Sequence, residues 1–272
     1  MNEPRFEDFT AVLLPGRKVL VAGGSNGSLK SAEIYDQQTN TWTSTGSLNV
    51  GRGEFATVVL NDGRVLVVGG ATADETPIAT AEIYDPKTGT WTLTGSMSTG
   101  RNDLALVELR DGRVLAAGGG MGNEELPRLT SAEIFDPHTG QWTPTGPMTV
   151  PRSEVEYASV LLPDGRVLVP GGQHMPHMAV SSSDLYDPRT GTWTASGSMS
   201  IERAGHSSIV LRGNRGVLVM GGEGDKVYKG RYNQCRYCRS DSLIESTYFT
   251  ISRHGRSWSL RSPKQGRLSD AG

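Results

Sequence analysis

Short apolar runs, each closed by a turn signal, recur along the whole chain and dictate its predicted elements. Five of them end in paired glycines: VLVAGG, VLVVGG, VLAAGG, VLVPGG and VLVMGG. A second apolar run precedes each, as at residues 55–60 (FATVVL), with Asn61-Asp62-Gly63 or Asp111-Gly112 between the two. Asp or Asn before Gly tolerates the positive φ of a tight hairpin, so these are predicted as strands A and B of a hairpin. Four of the pairs are followed by a third run, AEIYD (twice), AEIFD or SDLYD, and then by a strand carrying a tryptophan. Asp85-Pro86-Lys87-Thr88-Gly89 supplies the tight turn between these strands C and D. Val65–Val68 and Val217–Met220 are apolar at every position rather than alternating. Both faces of such a strand must be covered, as when small sheets stack face to face.

The four-stranded unit repeats at a fixed interval. Trp42, Trp91, Trp142 and Trp193 stand 49 to 51 residues apart, and each is followed ten positions later by an arginine: Arg52, Arg101, Arg152 and Arg203. Arg5 holds the corresponding place before the first unit. A repeat of this length means stacked supersecondary units rather than one continuous core. The paired glycines, the tyrosine of strand C, the tryptophan of strand D and their spacing resemble the kelch repeat, in a bacterial-style form that is also similar to the central domain of galactose oxidase-like proteins. The resemblance implies an all-β kelch-type β-propeller of about five four-stranded blades, or a fragment of a larger one. The blades start near Arg5, Arg52, Arg101, Arg152 and Arg203 and occupy residues 1–222. In that frame the Gly-Gly pairs admit close neighbouring backbone, and the four tryptophans fill the space between blades.

Residues 223–272 break the pattern. They hold ten Lys/Arg against five Asp/Glu, whereas residues 1–222 hold 17 against 24. Two readings stand side by side: a degenerate closing blade with strands C and D near 248–251 and 256–259, or a disordered, frameshifted tail. Without those strands, the run at Val217–Met220 keeps an open apolar edge, which predicts self-association.

Between repeats, the length varies in one place. Tyr (or Phe135) to Trp is seven residues in every complete copy, whereas the second glycine to the acid of strand C is nine (Gly24 to Glu33), twelve, fourteen and twelve. Antiparallel order places these B–C loops on one propeller face with the D–A connections that carry the arginines. Irregular loops on a rigid scaffold are where binding usually lives. Arg5, Arg52, Arg101, Arg152, Arg203 and His206 are therefore the candidate binding residues. The competing role for the arginines is architectural: bonds to carbonyls of the next blade, with pairing to the acids two positions on, Glu7, Glu54, Asp103 and Glu154. Blade five breaks that rule with Gly205-His206.

Composition narrows the function. A net charge of −2 and a pI near 6.2 give no pull toward nucleic acid. No apolar run is long enough to span a bilayer and no signal peptide is visible, so the default expectation is cytoplasmic. No Ser/His/Asp arrangement, phosphate loop or HExxH motif appears. A galactose oxidase-like copper site needs a cysteine-modified tyrosine, yet Cys235 and Cys238 both lie outside the repeats. Weak metal candidates remain: His174 and His177, flanked by Met175 and Met178, and the lone Cys235-Cys238 pair. No cofactor is expected. The expected function is a non-catalytic scaffold recognising a protein or carbohydrate partner through the loop-rich face. The alternative is a galactose oxidase-like or sugar-epimerase-like kelch enzyme.

Overall fold

A computed structural model describes residues 1–6, 8–122, 126–175, 178–211 and 216–224, and the backbone of 247–254 and 257–261. Every described element is a β-strand. Blade one comprises β1 (Thr10–Leu14), β2 (Lys18–Ala22), β3 (Ala32–Asp36) and β4 (Thr41–Thr45). Blade two is β5 (Ala56–Val59), β6 (Val65–Val68), β7 (Ala81–Asp85) and β8 (Thr90–Leu93). Blade three is β9 (Ala105–Glu108), β10 (Val114–Ala117), β11 (Ala132–Asp136) and β12 (Gln141–Thr145). Blade four opens with β13 (Val160–Leu161) and β14 (Val167–Pro170), inserts a hairpin of β15 (Gln173–Met175) and β16 (Met178–Ala179), and closes with β17 (Ser183–Asp187) and β18 (Thr192–Ser196). Blade five is β19 (Ser207–Val210), β20 (Val217–Met220), β21 (Thr247–His254) and β22 (Ser257–Arg261). Each blade is an antiparallel meander with its strands in sequence order.

The turns form where the sequence demands them. Asp62, Asp111 and Asp164 each accept the backbone N–H two residues on, at Arg64, Arg113 and Arg166. Asp36, Asp85, Asp136 and Asp187 do the same at the C–D turns. A carboxylate that closes its own turn fixes the hairpin register.

The core lies between blades. Leu20 and Ala22 of β2 pack against Val65 and Val67 of β6. Leu66 and Val68 meet Val114 and Ala116, and Leu115 and Ala117 meet Val167 and Val169. The inner strands are apolar on both faces because each face meets a different neighbour. The paired glycines sit where blades come closest. A Cβ on Gly69 would lie 2.3 Å from the Arg101 carbonyl oxygen, and Gly70 holds a φ of 91°.

Two expectations need adjusting. Trp91 and Trp193 are buried, but Trp42 and Trp142 are only half-buried. Strand D is the outermost of its blade, and each tryptophan packs first on the aromatic of its own strand C, ring centroids 5.0–5.1 Å apart. The tail, meanwhile, contributes β21 and β22, which cover the expected C and D segments and pair onto β20. Cys235, Cys238 and the rest of 225–246 and 262–272 lie outside the described residues.

Candidate functional site

The candidate arginines are turned into the wall of the propeller, not toward its face. Arg5, Arg52, Arg101, Arg152 and Arg203 are all buried. In each, Nη1 donates to the first glycine carbonyl of its own blade: Gly23, Gly69, Gly118, Gly171 and Gly221, at 2.6–2.9 Å. Nη1 of Arg52, Arg101 and Arg152 also donates to the carbonyls of Thr80, Ser131 and Ser182. The carboxylate partner comes from strand C of the same blade. Arg52 meets Glu82 at 2.8 Å and Arg101 meets Glu133 at 3.3 Å, with Arg5–Glu33 and Arg152–Asp184 at 3.7 and 3.6 Å. Burial lowers the pKa of Arg52, Arg101 and Arg152, and these facing acids work against it.

The expected bond to the next blade's carbonyls is thus replaced by a bond within the blade. The link between blades runs through the arginine backbone instead. The second glycine of one blade donates its N–H to the arginine carbonyl of the next: Gly24 to Arg52, Gly70 to Arg101, Gly119 to Arg152 and Gly172 to Arg203. One residue therefore braces its own blade with its side chain and the preceding blade with its backbone.

The acids two positions on are thereby released to a different place. Glu54, Asp103 and Glu154 take left-handed φ values of 54°, 52° and 55°. The chain before Asp8 is one residue longer, so in blade one Asp8, at 55°, holds this position rather than Glu7, which is not among the described residues. Asp103 N donates to Glu54 O at 2.9 Å, and Gly205 N to Glu154 O at 3.1 Å, so these turns lie side by side. Asn102 Nδ2 bridges Glu54 Oε2 at 2.7 Å and Asp103 Oδ2 at 3.0 Å. Gln173 Nε2 donates to Glu154 Oε1 at 2.9 Å. Burial holds the Asp103 carboxyl well above the usual range, with Glu156, Glu54, Glu154 and Asp8 adding like-charge repulsion. Burial likewise lifts Glu156 to about 7, helped by Glu154, Glu54 and Asp8, against one backbone hydrogen bond. The phenol of Tyr157 is raised by burial and by Glu156, Asp8 and Asp103. A carboxyl half-protonated near neutrality beside ionised ones can donate or accept a proton. This cluster went unread in the sequence, although its signal was present as the recurrent acid after each arginine.

Beside it the B–C loops of blades one to four meet one after another. A Cβ on Gly27 would meet Ala71 and Thr72, and one on Gly122 would meet Glu75 and Pro77. Arg128 bonds Gln173, joining the loops of blades three and four. These loops and the D–A connections expose Phe6, Met121, Leu126, Tyr157, Met175 and Met178.

Of the candidate histidines, His206 and His174 are among the described residues. His206 is 1% exposed and occupies the place taken by Phe55, Leu104 and Val155 in other blades. His174 Nδ1 sits 3.3 Å from the Pro151 carbonyl, and His177 is outside the described residues. Among the described residues, no three His, Cys, Asp or Glu side chains are placed to hold a metal. No helix is long and apolar enough to cross a membrane.

Comparison with known proteins agrees with this architecture. No curated protein matches the sequence. The solved chain described as "Structure of YjhT" superposes with a TM-score of 0.70 at 17% identity, covering 95% of this chain and 84% of that one. The family model of the KLHDC2/KLHL20/DRC7 Kelch-repeats domain matches residues 8–222, and the chain belongs to the kelch-repeat family.

Proposed function

We propose that the protein is a non-catalytic binding scaffold that grips a protein partner through its loop-rich face. Kelch domains generally mediate protein interactions. The observation that carries the reading is the asymmetry of exposed apolar side chains. Phe6, Met121, Leu126, Tyr157, Met175 and Met178 all stand on the face of B–C loops and D–A connections. On the opposite face the described A–B and C–D turns are short, and Asp62, Asp85, Asp111 and Asp136 each close their own. Methionine adapts its shape to a partner surface, and clustered exposed apolar side chains are a mark of an interface.

The test is site-specific photocrosslinking in lysate. Crosslinkers at Leu126 and Met178 should capture one discrete partner, while crosslinkers at Lys87 and Arg189 on the other face should not. Equal capture from both faces would overturn the assignment. A glycan array run in parallel separates a carbohydrate ligand from a protein one.

The carboxyl cluster favours a second reading, a sugar-epimerase-like kelch enzyme. Asp103 and Glu156 would then exchange a proton with substrate. Turnover of a sugar panel that disappears in Glu156→Gln, with unchanged melting at acid pH, would support it over the scaffold.

A further inference from the structure

Blade four departs from the repeat at the axis of the propeller. The first strands of the blades pack on one another in turn, β1 on β5, β5 on β9, β9 on β13 and β13 on β19, so the D–A connections leading into them converge there. From the recurrent arginine to the second glycine is 18 residues in blades two and three, Arg52 to Gly70 and Arg101 to Gly119, but 20 in blade four, Arg152 to Gly172. Strand register locates the extra two. Val58 pairs with Leu66 and Val160 with Leu168, and each leucine stands three residues before the first glycine of its pair. Counting back, Ala158 answers to Ala56 and is as deeply buried, while Val155 still answers to Phe55 beside the second glycine. Glu156 and Tyr157 are therefore an insertion. Ala158 N closes their turn on Val155 O at 3.1 Å, and Ser208 N of β19 donates to Tyr157 O at 3.0 Å.

The insertion delivers a carboxyl and a phenol ring to a place that already holds acids. Val155 N donates to Asp103 O at 3.4 Å, next to the Asp103–Glu54 and Gly205–Glu154 links, so the connections of blades two to five form one chain of contacts. A Cβ on Gly53 would lie 3.2 Å from Asp8 Cβ, which brings blade one to the same ring. Glu156 Oε2 is shut off from water yet accepts no hydrogen bond. Burial of such an atom is costly unless a donor reaches it. The groups that face it are Glu154, Glu54, Asp8 and Asp103, with Tyr157 beside it. Arg152 and Arg203 turn their Nη1 atoms into the blade walls, on Gly171 and Gly221. The five acids as whole residues are half-buried rather than sealed, and Tyr157 is 59% exposed, so the ring is reached from the loop-rich face.

Among the described residues, no three acids converge tightly enough to hold a metal ion. Carboxylates spread around a ring, with an exposed aromatic side chain at the rim, suit a larger cation with several donors. A guanidinium carries five N–H donors in a planar fork, is weakly hydrated and stacks on aromatic faces. We propose that the Glu156-Tyr157 insertion completes an axial subsite for an arginine side chain presented by the protein partner. This rests on the loop-rich face being the binding face and adds what the partner must insert there. The guanidinium stacks on Tyr157 and donates to Glu156 Oε2 and the acids around it. It replaces the proton that Glu156 carries in part of the free protein near neutrality, so binding expels that proton.

The probe is a blocked pentapeptide with one arginine between glycines, titrated calorimetrically into the 272-residue protein in buffers of different ionisation enthalpy. Binding should release at least about half a proton at pH 7 and less at pH 8.5, and should be about tenfold weaker at pH 6 than at pH 8. Glu156→Gln and Tyr157→Ala are first checked by cooperative melting. Glu156→Gln should weaken binding about tenfold at pH 8 and lose most of the proton release. Tyr157→Ala should weaken it at least about threefold. A citrulline peptide, which keeps the shape without the charge, should not bind, and a lysine peptide should bind more weakly. Equal binding of either, no binding of the arginine peptide, or binding indifferent to both variants would overturn the proposal. So would proton release by calcium chloride in place of the peptide, which would make the ring a metal site. Photocrosslinking at Leu126 and Met178 is scored separately. Partner capture that persists in Glu156→Gln while the peptide fails to bind would remove this subsite and leave the binding face standing.

Discussion

At the scale of single residues, identical sequence positions carry different loads because their surroundings differ. Arg101 is recurrent not because a ligand needs it but because its fork satisfies two carbonyls, a hydroxyl and the Glu133 carboxylate inside the blade. His206 is the informative exception among the residues that plug the blade junction. Burial, then the cations Arg203 and Arg152, lower its pKa to about 4. An unfolded histidine titrates near 6.5. Between these values the unfolded chain takes up a proton that the folded one refuses. Stability is therefore fully present above pH ~6.5 and is lost as pH falls toward ~4, by up to about 3 kcal/mol. Leucine stands at the equivalent place in blade three, as Leu104. His206→Leu should remove the loss: urea titrations at pH 7 and 4.5 should show wild type falling relative to the variant by about 2–3 kcal/mol. Parallel behaviour of the two proteins would mean that His206 is protonated in the fold.

At the scale of elements, the strands were the most legible part and the roles of their side chains the least. Turn residues, apolar runs and the repeat interval located β5–β8 and their equivalents, since each is a local consequence of backbone chemistry. The destination of Glu54 or Asp103 was not local. A carboxylate two residues after an arginine reads as its partner, and only the left-handed turn sends it elsewhere while Glu82 or Glu133 of strand C takes the arginine. The tryptophans show the same limit. Their repetition fixes strand D, but coverage depends on the neighbouring blade. Trp91→Ala should cost about 3–5 kcal/mol, as other large buried truncations do. Trp42→Ala, from a half-buried ring on blade one, should cost about half as much. Equal losses by guanidinium titration would show that contact with the strand C aromatic, common to both, outweighs coverage by the next blade.

At the scale of the whole molecule, a propeller assembled from like units brings like residues together at its axis, and here those residues are acids. Asp8, Glu54, Asp103 and Glu154 come from four different blades, with Glu156 and Tyr157 beside them, and blade five has Gly205 at the corresponding left-handed position. Burial is the largest cause of the raised pKa of Asp103, and the charges that add most to it are the carboxylates of Glu156, Glu54, Glu154 and Asp8. Glu156, raised to about 7, has its Oε2 without a partner. An unfolded glutamate ionises near 4.3, so between that value and about 7 the unfolded chain loses a proton that the fold retains. The stability contributed by the protonated axis is complete below pH ~4 and is lost as pH rises through ~7. This runs opposite to the His206 effect, so the two largely cancel between pH ~4.5 and ~6.5, and only the Glu156 loss continues above that. Thermal melting of the protein should therefore fall from pH 6.5 to pH 8.5. Glu156→Gln, which keeps the neutral shape at every pH, should flatten that slope and melt above wild type at pH 8.5 while matching it near pH 5. If wild type melts alike at pH 6.5 and 8.5, or the variant melts lower at pH 8.5, the axis is ionised in the fold and an unseen cation must be balancing it.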